Sequence, residues 1–250
     1  MFGLLSAWRR RRLARRPMPV EWQAILDLKV PFVAGLSGEE RTRLAELVKV
    51  FVWDKHWEGA GGLELSDEIR VVIAATAARL VLHRDLSDFD HLSEIVVYPD
   101  SYQHPDRDGA ILGEARHWGT VVLSWNAVQR GLANVEDGHD TATHEFAHVL
   151  DNADGAFDGT PVLPRLRHYG PWARIMALHY TRLRGGRRDL RKVMRAYGAT
   201  NEAEFFAVAT ESFFEKPRQM QKRTPELYAL LQSFYGGDPA AAGDRSDEVG

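Results

Sequence analysis

Residues 143–151 read Thr-His-Glu-Phe-Ala-His-Val-Leu-Asp, and they constrain this chain more than any other stretch. On a helix, His144 and His148 sit one turn apart and face the same way, so two imidazoles can grip one Zn²⁺. Glu145 stands beside the first histidine, where it can reach metal-bound water without binding the metal. Neutral imidazole leaves the charge of zinc intact, and the metal acidifies its water. A carboxylate can then take the proton as the water attacks a carbonyl. Phe146, Val149 and Leu150 supply apolar positions, no Pro or Gly interrupts 141–154, and Asp154-Gly155 ends the helix. The competing reading is a helix that carries two histidines by chance. Asp151 lies on the same face as both histidines and is placed to accept the second ring N–H of one of them.

A catalytic zinc takes three protein ligands and keeps one position open. With no cysteine in the chain, thiolate sites, disulfides and cysteine nucleophiles are all excluded, which suits a cytosolic protein. The extended H-E-x-x-H-x-x-G-x-x-H pattern is absent: its glycine position is Asp151 and its last position Asp154, an alternative third ligand. The better source is a helix over 201–215, capped by Thr200 or Asn201. Glu204 and Glu211 share one face of it among Phe205, Phe206, Phe213 and Phe214. Carboxylates buried in such company need a cation or hydrogen bonds.

Elsewhere the patterning predicts helices at 20–28, 39–51, 67–82, 171–183 and 224–235. The whole of 17–58 reads as helical, broken at Pro31 and Gly35. Ser37 with Glu40 forms a capping box, and Ser66 caps the helix after the Gly59–Gly62 joint. Glu94–Tyr98 and Thr120–Trp125 read as strands, 100–113 as loop, and Asn126–Arg130 as a turn or short helix. A strand edge just before the histidine helix would let an extended peptide pair its backbone across the metal; filling the core is the equal alternative.

The net charge of −3 gives no case for direct nucleic-acid binding, and no apolar run is long enough to span a membrane. In residues 1–16 an apolar stretch precedes the arginines, the reverse of a secretory signal. The segment reads as a solvated basic arm, with an amphipathic contact to an anionic membrane or partner as the alternative. Residues 182–195 carry seven Arg and Lys against Asp189. They read as a solvated face or, if they border the site, as a preference for acidic substrates or partners. The tail at 236–250 reads as disordered.

Together, the 144–155 stretch, Tyr197-Gly-Ala-Thr-Asn-Glu-Ala-Glu204-Phe-Phe-Ala-Val, Gly-Leu-x-Leu at 62–65 and Val-Val-Leu-Ser-Trp at 121–125 resemble the Mlc titration factor A family of bacterial zinc peptidases. The likeness spans about 20–235. The second motif is also similar to the catalytic domain of anthrax lethal factor. The resemblance implies His144, His148 and Glu204 as ligands of one Zn²⁺, Glu145 as general base, and Tyr197 as hydrogen-bond donor to the oxyanion. It further implies a cytoplasmic aminopeptidase acting on peptide substrates, and an Mlc-like transcriptional repressor as candidate partner. Glu211, about 10 Å beyond Glu204 along the helix, is expected to bond buried groups or an Arg and to leave the metal unaffected.

The chain is therefore expected to be an α+β, mostly helical zinc-peptidase domain with a small sheet and an H-E-x-x-H helix. It divides into a basic arm at 1–16, one domain at 17–235 (helical part 17–90, catalytic part 91–235) and the tail. The other function classes are a regulator-sequestering binding protein with secondary catalysis, and a zinc hydrolase of a non-peptide amide.

Overall fold

Local capping sets the first helices. The computed structural model describes residues 2–103, 110–111, 113–116 and 119–241. It begins with α1 (Phe2–Ala14), α2 (Val20–Lys29), a 3-10 turn at Pro31–Gly35 and α3 (Gly38–Asp54). Ser37 Oγ accepts from Glu40 N at 3.2 Å and Glu40 Oε2 accepts from Ser37 N at 2.7 Å, the reciprocal box its spacing predicts. Ser66 Oγ likewise caps α4 (Asp67–Leu80), whose alanine-rich surface is buried almost all round.

The helical reading of 17–58 stops at Asp54. His56–Gly59 is instead a strand, β1, that pairs in parallel with β2 (Glu94–Tyr98). That pairing is with residues 38 positions away, so no local pattern could announce it. Next come β3 (Tyr102–Gln103) and β4 (Ala110–Ile111), a short antiparallel pair inside the segment expected to be loop. Then follow β5 (Gly113–Arg116), β6 (Thr120–Ser124) and α5 (Trp125–Ala133), the last capped by Ser124 Oγ. The main sheet runs β1-β2-β6-β5, parallel except for antiparallel β5. β6 is thus internal, and the free edge on that side belongs to β5.

The remaining helices are α6 (Thr141–Asp151), α7 (Tyr169–Arg184), α8 (Arg188–Arg191), α9 (Glu202–Glu215), α10 (Pro217–Arg223) and α11 (Pro225–Tyr235). Every residue of α6 is buried, under α4, α5, α9, β5 and β6. Ile95, Val97, Val121 and Leu123 of the sheet are fully buried, as is Phe146 of α6, whose ring meets Phe89 edge-on at 5.9 Å.

The N-terminal segment is not a solvated arm. Leu13 is buried, Arg9 pairs with Asp54 at 3.1 Å and Arg10 pairs with Asp90. Buried Lys49 donates to Ala14 O at 2.5 Å and Arg16 O at 2.7 Å. Arg9 and Arg10 read as free charge because their partners lie on other elements, whereas Arg11, Arg12, Arg15 and Arg16 are exposed. Of the tail, 236–241 is described, with Ala240 buried, and 242–250 lies outside the described residues. Among the described residues no helix is long and apolar enough to cross a membrane.

Candidate metal centre

α6 starts under an N-cap that uses both oxygens of one carboxylate: Asp140 Oδ1 accepts from Thr143 N at 3.0 Å and Oδ2 from Thr143 Oγ1 at 2.6 Å. One turn in, His144 and His148 project towards α9 with Nε2 atoms 3.2 Å apart. α9 is started by Asn201, whose Oδ1 accepts from Glu204 N at 2.8 Å. Glu204, in the first turn, places Oε2 3.0 Å from His144 Nε2 and 3.4 Å from His148 Nε2.

These three donor atoms fit a metal. Ligands roughly 2.0–2.2 Å from a tetrahedral centre stand roughly 3.3–3.6 Å from one another, and the observed separations of 3.0–3.4 Å fall within a few tenths of an ångström of that. Two imidazole nitrogens and a carboxylate oxygen converging on one point can share a cation. The group His144–His148–Glu204 is accordingly one that could hold a metal ion, with both histidines buried and Glu204 partly so. Electrostatics agree. Burial opposes charge on His144, but Glu204 and Glu211 outweigh it and raise its pKa to about 10. Burial likewise opposes charge on Glu204, yet the two histidines hold its carboxyl well below the usual range. A field that retains a proton on His144 also favours a cation there.

Glu145 is buried, and its charge lies close enough to raise the pKa of both His144 and Tyr197. Tyr197 is half exposed; its hydroxyl donates to Glu204 Oε1 at 3.2 Å, and its ring centroid lies 5.9 Å from that of His144. Burial, then Glu204, pushes its pKa up to about 12, so the phenol stays a donor at neutral pH.

The carboxylate behind the candidate ligand His144 is not Asp151. Asp151 Oδ2 accepts from Gly159 N at 3.0 Å, while its Oδ1 and His148 Nδ1 are buried without a hydrogen-bond partner among the described residues. Glu211 takes that place: His144 Nδ1 donates to its Oε1 at 2.6 Å. The same carboxylate accepts from Arg195 Nη2 at 2.5 Å and from Asp140 N at 3.0 Å, and Glu211 has no exposed surface. Glu211 thus bonds buried groups and an Arg, as expected, but one of those groups is a metal-ligand candidate. Asp154 is exposed and caps Ala156 N, outside the ligand group.

Arg195 is the functional residue that sequence reasoning missed. In the Arg-rich segment, Arg182 and Arg187 pair with Asp189 and most of the rest is exposed, while Arg195 alone turns inward to Glu211. The available signal was a mid-helix Glu among phenylalanines, which demands a cation.

Gly159 holds the two helices in register. Its φ is +76°, its carbonyl accepts from Trp172 Nε1 at 3.1 Å, and a Cβ there would lie 2.4 Å from Glu202 O. The chain leaving α6 therefore rests directly on the first turn of α9.

Comparison with known proteins gives concordant matches. The profile of the family described as Glucose-regulated metallo-peptidase M90 matches residues 5–236. An uncharacterized protein of Synechocystis sp. is 38% identical over 93% of this chain and 89% of its own. Mlc titration factor A of Pectobacterium atrosepticum is 29% identical over 88% of this chain and 87% of that one. The protein of the same name from Cronobacter sakazakii is 29% identical over the same shares, 88% and 87%.

Proposed function

We propose that the chain, which belongs to the glucose-regulated metallo-peptidase family M90, is a zinc-dependent peptidase of aminopeptidase type. The observation that carries the reading is the convergence of His144 and His148 of α6 with Glu204 of α9, donor atoms within 3.0–3.4 Å of one another, beside buried Glu145 of α6. Nitrogen and carboxylate donors without sulfur suit zinc in a catalytic role. Bound there, the metal supplies Lewis acidity towards a carbonyl oxygen and acidifies water.

The residues of the chain do the rest. Glu145 takes the proton of the attacking water and returns it to the leaving amine. Tyr197, held by Glu204 and half exposed, swings its hydroxyl to donate to the oxyanion as charge develops. Glu211 fixes the tautomer and ring orientation of His144. The outer edge of β5, packed against α6, offers backbone groups to an extended peptide. The aminopeptidase preference rests on the resemblance of the motifs alone.

The test is direct. Purified protein should carry about one zinc per chain, and Glu145→Gln should keep the metal and lose peptidase activity. Hydrolysis by Glu145→Gln at the wild-type rate would remove Glu145 from the mechanism.

The names of the relatives support a second reading, in which the chain also binds an Mlc-like transcriptional repressor in the cytoplasm. Capture of such a repressor by the Glu145→Gln protein would establish binding apart from catalysis. Failure to retain the host's repressor of that class would dismiss it.

A further inference from the structure

A cavity of about 470 Å³ opens between the Pro31–Gly35 turn, the end of α5, the C-terminal end of α9 and the segment after α11. None of His144, Glu145, His148, Tyr197 or Glu204 lines it. Phe32, Leu132, Val135 and Phe214 give it apolar walls, and five Asp and Glu line it against three Lys and Arg.

Glu215, the last residue of α9, is 7% exposed and lines this cavity. Among the described residues its carboxylate makes no hydrogen bond, and its Oε2 is buried without a partner. A carboxylate in that position needs a donor. The neighbouring Arg79 does not supply one. Its guanidinium carbon lies 4.4 Å from the Phe32 ring centroid and 4.6 Å from that of Phe214, and Nη2 donates to Phe214 O at 3.1 Å. Arg79 also faces Asp140 as well as Glu215, one guanidinium against two carboxylates. Burial, then the nearby Asp140, Glu211 and Asp137, push the Glu215 carboxyl up to about 8. Glu215 thus lacks a donor and a contacting cation that would hold it ionised, in a cavity whose acids outnumber its Lys and Arg five to three.

We propose that this cavity binds a small organic cation, a primary ammonium on an apolar body, with the ammonium on Glu215 and the body against Leu132 and Val135. An ammonium brings donors and the missing charge together, and an aromatic or aliphatic body suits the walls. An anionic ligand could reach Arg79 only by adding to the surplus of negative charge. The site is separate from the metal centre and does not rest on the peptidase reading.

Phenethylamine is the probe, with hydrocinnamate and phenethyl alcohol as anionic and neutral counterparts, each titrated calorimetrically into the full chain. The amine should bind saturably, at least about tenfold tighter than either counterpart. Glu215→Gln should weaken it about tenfold or more. Val135→Trp, at a position 44% exposed that can carry a larger side chain, should block the cavity without disturbing the core, and so decides the matter if Glu215→Gln fails to fold. A chelator should leave amine binding unchanged. The proposal is overturned by absence of saturable amine binding, by binding that survives the substitutions, by loss of binding with chelator, or by tighter binding of hydrocinnamate.

Discussion

Replacing Glu211 by alanine would strip His144, a proposed metal ligand, of its support. Three donors lose an acceptor: His144 Nδ1 at 2.6 Å, Asp140 N at 3.0 Å and Arg195 Nη2 at 2.5 Å. The first two are buried, and an orphaned buried donor costs about 1–3 kcal/mol. Arg195, with 29% of its side chain exposed, can turn to water and adds little. Removing the charge also relieves Asp140 and Glu215, whose pKa values Glu211 helps to raise. The net loss is about 2–4 kcal/mol, a fall in Tm of about 4–16 °C for a chain of this size. With Nδ1 unheld, the His144 ring can rotate away from Glu204, which should weaken metal binding about 10–100-fold. Thermal melts with and without chelator, and zinc titration against a chromophoric competitor, read the two effects separately. A Glu211→Ala protein that melts with wild type and holds zinc as tightly would show that the carboxylate neither satisfies those donors nor orients His144.

Tyr197→Phe should lower kcat by about 10²–10³ at unchanged zinc content, the usual cost of one oxyanion donor; unchanged turnover would make Tyr197 a mere partner of Glu204. Among the described residues both ring nitrogens of buried His179 lack partners, and burial, then Arg182, lower its pKa. The unfolded chain therefore takes up this proton first. The contribution to stability is intact above about pH 6.5 and is lost as pH falls below it. In urea unfolding across that range, His179→Leu should flatten the acid side, and a variant with the wild-type slope would exclude His179 as its source. Deleting residues 1–16 should cost about 1.5–3 kcal/mol from Leu13 burial alone, with water then reaching Lys49; an unchanged denaturation midpoint would mean that α1 does not dock in solution.

Much of the fold was legible where the chemistry is local. Ser37, Ser66 and Asn201 announce their helices because a cap and its amide lie within three residues. The proposed ligand group has the same character, since a one-turn spacing aligns His144 with His148 and a short helix among phenylalanines carries Glu204. What escaped depends on distant partners. β1 is a strand only because β2 pairs with it, α1 docks through buried Leu13 and through Asp54, Asp90 and Lys49 on other elements, and Arg195 looks like one more solvated arginine until Glu211 comes within reach. Helical spacing gives the face on which Asp151 lies but not which donor it takes: its Oδ2 accepts from Gly159 N, while its Oδ1 and His148 Nδ1 both stay unpaired among the described residues.

That choice bears on how this sequence can drift. Gly159 carries no donor atom for a metal, yet its backbone is gripped by Asp151 and Trp172 and pressed against Glu202. Any side chain at 159 would act as a wedge under the first turn of α9, tilting Glu204 away from the two histidines. Selection on the metal group would therefore reach a residue that never touches it. A random screen for variants that fold but lose zinc should return position 159 alongside 144, 148 and 204, a hit that looks unrelated to chemistry until the contact between the α6 exit and α9 is seen.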